Sequence, residues 1–235
     1  VNQKSLILLP GLHGTDDLFG PLLSVIPASL NPRIVTYPPD QTLSYDALLE
    51  IIERQLRCEQ EMILIAESFS GPLAVRFAAA HPTRMRAVVL VASFVKSPVT
   101  HWLKHFVQPV LFRFPPPPVA LRLLLLARSV SQPLAQEVRA SIRKVRPEVL
   151  AHRLREVLKV DCSSALQQCP VPILYLVAAH DAVVPRSSME TIRKIRPDVQ
   201  VKTLDGPHML LQANPAAAWR EIELFLKAID GADKR

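Results

Sequence analysis

The sequence predicts an α/β protein: a mostly parallel six-stranded sheet with helices on both faces and a block of helices inserted after the fourth strand. Three observations carry this. Short uninterrupted apolar runs, such as Leu6-Ile7-Leu8-Leu9 and Met62-Ile63-Leu64-Ile65-Ala66, suit strands buried on both faces. These runs alternate with segments of helical period, the pattern of parallel strands joined by crossover helices. Between about Lys96 and Ala165 the alternation stops, and a helical, proline-punctuated pattern without a convincing strand replaces it.

Taken in order, the first strand is Ser5 to Leu9, broken by Pro10-Gly11, with the loop Leu12 to Asp17 behind it. Leu18 to Ile26 reads as a helix ended by Pro27. Arg33 to Tyr37 is the second strand, closed by Pro38-Pro39. A helix from about Ser44 to Arg57 follows, with Ser44 as its N-cap and Leu48, Leu49, Ile52 and Leu56 as its apolar face. The third strand, from Met62, turns over small residues into an Ala-rich helix, Ser70 to Ala80. Met85 to Ala92 is the fourth strand. In the inserted block, candidate helices are Val99 to Phe112, Val119 to Ser129, Gln132 to Val145 and Pro147 to Val160. Pro115 to Pro118 should form a stiff polyproline segment. Val171 to Ala178 and Val199 to Leu204 are the last two strands, each followed by a helix: Arg186 to Ile195, then about Pro215 to Ala228 with Asn214 as cap. The final five residues should fray.

A chain of 235 residues, 49% hydrophobic, can bury one sizeable core without a second independent domain. The expected organisation is one domain over 1–235, with a core of 1–95 and 166–235 and a cap or lid of about 96–165. Roughly 70 residues inserted after a strand's carboxyl end would hang over the edge where ligands bind. The longest apolar segment, Val119 to Ala127, is interrupted by Arg122 and too short to span a bilayer, so no stable membrane insertion is expected. Cys58, Cys162 and Cys169 form neither a metal-ligand spacing nor an even disulfide framework. A reducing, cytoplasmic setting is the simplest reading.

The net charge of +7 is unevenly distributed. From Lys96 to Lys159 twelve Lys and Arg face three acids, Glu137, Glu148 and Glu156, which leaves the remainder slightly acidic. Few aromatics and no nucleic-acid-binding motif accompany this basic segment, so it does not read as a nucleic-acid footprint.

Three chemically capable residues fall just after three strands: Ser68, Asp181 and His208. A serine between a buried strand and a helix N-terminus is exposed at the sheet's carboxyl edge, with the helix dipole facing a developing oxyanion. A serine hydroxyl is a poor nucleophile until a neutral histidine takes its proton, and a carboxylate holds that histidine in the useful tautomer. Each residue alone has a commoner use: Ser68 as an N-cap, Asp181 as a turn former, His208 as an ordinary histidine. Their joint occurrence, each behind its own strand, favours the catalytic reading. Ser70 is a rival nucleophile. Ser68 is preferred because placing Ser70 in the turn would lengthen the strand past Glu67 and put Pro72 two residues beyond it. His180 is a minor rival base, Asp205 is expected to close a turn, and Glu67 either tunes the site or points away.

The order Ser68, Asp181, His208 and the pieces Leu9-Pro10-Gly11-Leu12-His13-Gly14, Ala66-Glu67-Ser68-Phe69-Ser70-Gly71, His180-Asp181-Ala182-Val183-Val184-Pro185 and Gly206-Pro207-His208 resemble the α/β-hydrolase superfamily over nearly the whole chain. Ala66 and Ser70 stand where the usual motif has glycines. The two amino-terminal strands common in that superfamily are absent or trimmed. The resemblance implies a strand order 2-1-3-4-5-6 and a serine esterase acting on a small-molecule ester of short or medium acyl chain. It also implies an oxyanion hole made by the backbone N–H groups of Leu12 and Phe69, with Leu12, Phe69 and His13 placed to meet substrate. No metal or cofactor is implied.

The inserted block is both basic and greasy, resembling the lids of pimeloyl-carrier-protein methyl ester esterases. An acidic acyl-carrier protein is therefore a candidate partner, and thioesters or carrier-linked esters are alternative substrates. The bland alternative is that its arginines form a solvated face. From another class, a non-catalytic ligand-binding or lipid-surface protein on the same fold is the rival reading.

Overall fold

The computed structural model describes residues 4–98 and 132–232. The helices expected at Val99 to Phe112 and Val119 to Ser129, and the polyproline segment, lie outside the described residues. Six strands form one sheet: β1 (Ser5–Leu9), β2 (Arg33–Ile34), β3 (Met62–Glu67), β4 (Met85–Val91), β5 (Ile173–His180) and β6 (Gln200–Pro207). Their order is β2-β1-β3-β4-β5-β6 and every described pairing is parallel. The first crossover runs to one edge and the later ones to the other. The carboxyl ends of β1 and β3, adjacent in register from Ser5↔Met62 to Leu9↔Ala66, thus flank the point where strand order reverses.

Successive strand residues project to opposite faces, and the core divides accordingly. Ile7, Leu9, Leu64, Ala66, Val88 and Leu90 pack on one side, beneath helices α2 (Tyr45–Gln55) and α3 (Gly71–Ala80). Leu6, Leu8, Ile63, Ile65, Val89 and Val91 pack on the other with Leu22, Trp219, Ile222 and Phe225. This two-sided burial is why the central strands read as continuous apolar runs. Ser44 caps α2 as its sequence position suggests, accepting from Ala47 N–H at 3.3 Å.

Several boundaries differ from the sequence reading. Leu18 to Ile26 is not one helix but a 3-10 turn, Asp17–Phe19, followed by a single α turn, α1 (Gly20–Leu23). Gly20, and Pro21 behind it, re-start the chain as a new helix instead of extending the first turn. The second strand pairs only over Arg33–Ile34, because beyond the Val35 N–H bond to Leu8 O the main chain turns to the loop at Gly14. Tyr37 N–H donates to Gly14 O at 2.8 Å. The side chain of Asn214 donates to Asp205 O at 2.9 Å and so braces the preceding loop; its main-chain carbonyl accepts the Ala218 N–H.

The described part of the insertion contains α4 (Gln132–Arg143), α5 (Pro147–Val157) and α6 (Ser163–Gln168), the last not anticipated because six residues are too few to show a periodicity. Leu134, Ala135 and Val138 of α4 pack on Leu18 and Met209, while Val145, Val149 and Leu150 pack on Leu12. The loop after β1 therefore lies between the sheet and these helices. The helices α7 (Arg186–Ile195), α8 (Leu210–Ala213) and α9 (Pro215–Ala232) complete the described chain.

Candidate active site

At the carboxyl end of β3 the chain makes a sharp turn with Ser68 at φ +46°, a left-handed conformation that a side chain adopts only under constraint. A 3-10 turn, Ser68–Ser70, leads into α3. The constraint comes from the neighbouring strand. Ser93, just past β4, donates its hydroxyl to the Ser68 carbonyl at 2.6 Å, and its own carbonyl accepts the Tyr175 hydroxyl of β5 at 2.6 Å. Gly71 permits this approach. A Cβ built there would stand 1.9 Å from Ser93 Oγ.

Ser68 Oγ lies 3.0 Å from His208 Nε2. On the other side of the ring, Nδ1 is 3.0 and 2.9 Å from the two carboxylate oxygens of Asp181. Only 7% of either the His208 or the Asp181 side chain is exposed, so water competes weakly for their contact. Asp181 serves its turn as well. Its Oδ1 accepts the N–H groups of Val183 and Val184, both at 2.8 Å, fixing the carboxylate before histidine meets it. One side chain thus both holds its own turn and meets the histidine.

The rivals are drawn elsewhere. Ser70 is fully buried, donates its hydroxyl to Pro10 O and accepts from the Tyr37 hydroxyl, 2.6 Å away. His180 and Asp205 pair with each other in solvent, 3.0 Å apart. Neither joins the Ser68–His208–Asp181 line.

The loop after β1 closes by Gly14 N–H donating to Gly11 O at 3.0 Å, and among the described turn and loop bonds neither the Leu12 nor the Phe69 N–H finds an acceptor. The Phe69 ring is 1% exposed, stacked on Tyr45 at 4.8 Å and edge-on to Tyr37 at 6.1 Å. Its carbonyl accepts the Tyr45 hydroxyl at 3.0 Å. His13 is also buried, and burial together with the Arg153 charge pulls its imidazole down to about 4, so it is neutral at pH 7.

Glu67 does not point away. It is fully enclosed beside His208, accepts from Gln212 Nε2 at 3.3 Å, and leaves Oε1 without a partner among the described residues. Burial pushes its carboxyl up to about 7, against the opposing pull of His208 and the Gln212 bond. Among the described residues no cluster of His, Cys, Asp or Glu could hold a metal, and no helix is long and apolar enough to cross a membrane.

A family model described as "Serine aminopeptidase, S33" matches residues 42–212, a span that includes Ser68, Asp181 and His208. The chain belongs to this family of α/β hydrolases. It is also 26% identical, over 210 residues, to the biotin biosynthesis bifunctional protein BioHC of Cellvibrio japonicus, covering 84% of this chain but only 40% of that protein. In architecture this α/β hydrolase superposes on a hydrolase from Oleispira antarctica with a TM-score of 0.80 at 13% identity, over 97% of this chain and 92% of the other. A thermophilic esterase from Thermogutta terrifontis gives 0.77 at 18% identity, over 96% and 90%.

Ser93, Gln212 and Tyr37 escaped the sequence reading, and Arg153 was counted there only as part of a basic face. Ser93 had a usable signal, since it stands just behind a strand like the three residues that were found.

Proposed function

We propose that this α/β hydrolase cleaves carboxylic esters of short or medium acyl chain through an acyl-enzyme on Ser68. The observation that carries the reading is the unbroken line Asp181–His208–Ser68, with contacts of 2.9 and 3.0 Å. In this mechanism His208 Nε2 takes the Ser68 proton as Oγ bonds to the ester carbonyl carbon. The carbonyl π-electrons move to oxygen, and the N–H groups of Leu12 and Phe69 receive that charge. Removing one such donor typically costs about 3–4 kcal/mol of transition-state stabilisation. Collapse expels the alkoxide, which takes the proton from the imidazolium. Water then repeats the sequence on the acyl-enzyme and releases the acid. Asp181 keeps the Nδ1–H tautomer and balances the imidazolium charge. No cofactor or metal is called for, because base, nucleophile and oxyanion donors are all supplied by the chain.

The test is hydrolysis of p-nitrophenyl acetate and butyrate beside an amino-acid p-nitroanilide, for wild type and Ser68→Ala. Ester turnover lost by at least about a thousandfold in Ser68→Ala is expected. Turnover of the anilide but of neither ester would replace the esterase reading with the aminopeptidase one. No ester turnover and no covalent labelling of wild type by a fluorophosphonate would favour a binding protein on this fold.

A carrier-linked ester is the second reading, supported by the part-length similarity to the biotin biosynthesis protein and by the basic insertion. The described basic face is smaller than the residue count implied. Arg143 and Arg146 are exposed, but Lys144 pairs with Asp17 and Arg153 is buried. Arg143→Glu with Arg146→Glu should weaken turnover of an acyl-carrier-protein methyl ester while sparing p-nitrophenyl acetate. Equal turnover of the carrier ester by variant and wild type would remove the docking idea. A cap over about 96–165, a partner of that kind and a cytoplasmic setting belong to this same proposal.

A further inference from the structure

Arg153 is the most deeply buried cation among the described residues, 1% exposed. It occupies the face of α5 that also presents Val149 and Val157, one turn to each side, where an apolar residue would be ordinary. Its guanidinium meets no carboxylate among the described ion pairs. Instead, Nη1 donates to Leu12 O at 2.9 Å and to His13 O at 2.8 Å, and Nη2 donates to Pro38 O at 2.9 Å. The guanidinium carbon stands 5.7 Å over the Tyr37 ring. Burial pulls the group down to about 10, which still leaves it charged at neutral pH.

A buried charge without a counter-ion is costly, and an apolar residue of similar volume would fill the space at less expense. What an apolar residue lacks is a rigid fork able to hold three carbonyls from two loops. Two of those carbonyls, of Leu12 and His13, belong to the peptide planes that directly follow the Leu12 N–H. The third ties Pro38, from the loop behind β2, to the same group. Gly14 completes the fit: at φ +76° it has no Cβ, and one built there would lie 2.5 Å from Nη1. The guanidinium occupies the space that any other residue at 14 would fill.

We infer that Arg153 is a positioning residue: reaching from the inserted helices into the loop after β1, it fixes the direction of the Leu12 N–H toward the oxyanion. The inference rests on the proposed role of Leu12 and deepens it. It makes the insertion part of the catalytic scaffold as well as a cover for it. With the fork removed, the loop retains the Gly14–Gly11 turn and the Tyr37–Gly14 bond, so it persists but its peptide planes rotate more freely.

The experiment compares wild type, Arg153→Met and Arg153→Lys on p-nitrophenyl butyrate, with affinity for an aliphatic trifluoromethyl ketone, whose hemiketal carries an oxyanion, measured alongside. Misdirecting one donor should lower kcat about 10- to 100-fold with KM within about twofold of wild type. The ketone should bind more weakly by a similar factor. Arg153→Lys keeps the charge and stem but cannot span three carbonyls; it should show the same kcat loss with a thermal midpoint nearer wild type, so a failure of Arg153→Met to fold leaves the inference exposed to test. Wild-type kcat in the folded lysine variant, or a kcat loss without weakened ketone binding, would overturn it. An inactive and unlabelled wild type would instead overturn the esterase reading beneath it.

Discussion

The Tyr37 hydroxyl lies 2.6 Å from that of Ser70 and donates to it, since the Ser70 proton is committed to Pro10 O. This contact links the loop behind β2 to the turn at Ser68 and fastens both to the residue that begins the loop Pro10 to Gly14. It also separates two serines that sequence alone leaves as rivals. A hydroxyl fully buried and bonded on both sides cannot reach a substrate carbonyl, whereas Ser68, two residues earlier, is half-buried and faces His208.

Fluorophosphonate labelling should therefore survive in Ser70→Ala and vanish in Ser68→Ala. Ser70→Ala strips partners from two buried groups, the Tyr37 hydroxyl and the Pro10 carbonyl, and should destabilise the fold by about 1–3 kcal/mol. Denaturant melts would measure that loss. Labelling with the opposite pattern would transfer the nucleophile to Ser70.

The carboxylate of Asp181 has two duties, and Asp181→Asn separates them. The variant's Oδ1 can still accept the Val183 and Val184 N–H groups, so the turn should persist. Its amide NH2 would then face Nδ1 and favour the tautomer protonated at Nε2, which cannot take the Ser68 proton. A fall in kcat of about 10³- to 10⁴-fold with little change in thermal midpoint is expected. A fall under tenfold would show that His208 does not depend on Asp181 for its tautomer.

How far the sequence disclosed this depended on how local the cause was. The positions of Ser68 and Asp181 behind strands were legible because each follows a run of apolar residues whose burial dictates a strand, and a strand's carboxyl end delivers whatever comes next to one edge. His208 follows β6, a largely exposed edge strand of mixed residues, and the strand order came from the family resemblance. The change at Gly20 from a 3-10 turn to a single α turn was hidden because Leu18, Leu22 and Ile26 keep helical spacing across it. Arg153 was misjudged for a related reason: charge is normally a mark of exposure, and its three carbonyl partners are contributed by residues more than a hundred positions away. Ser93 depended on spatial neighbours in the same way. Its partner, Ser68, is across a strand crossing, and its effect is on a backbone carbonyl.

That contact makes Gly71 sensitive. Gly71→Ala places a Cβ where Ser93 Oγ sits, at 1.9 Å, so the serine must move or the helix must retreat from β4. Overpacking of this kind costs about 1–3 kcal/mol. Because Ser93 Oγ holds the Ser68 carbonyl, kcat should fall along with stability. Ser93→Ala in the Gly71→Ala background removes the closest atom, leaving Ser93 Cβ at 3.0 Å and Phe94 O at 3.1 Å, and should recover part of the lost stability without recovering kcat. A double variant no more stable than Gly71→Ala would show that the crowding lies elsewhere.

Glu67 and His13 give stability two opposing pH dependences. The Glu67 carboxyl is raised from 4.5 to about 7 on folding, so the folded state holds its proton where the unfolded chain has released it. Stability from this group is present below 4.5 and is lost as pH rises to about 7, by on the order of 3 kcal/mol. His13 moves the other way, from 6.5 to about 4: its neutral folded form contributes stability present above 6.5 and lost as pH falls toward 4. Between about 4.5 and 6.5 the two offset each other, and the wild-type profile should be nearly flat there. Glu67→Gln removes one side of the balance. Relative to wild type it should gain stability from pH 5 to about pH 7 in urea melts and level off above that, while below 6.5 its own stability drops with acid as His13 takes up a proton. A constant difference between Glu67→Gln and wild type over that range would mean that Glu67 does not change its protonation on unfolding.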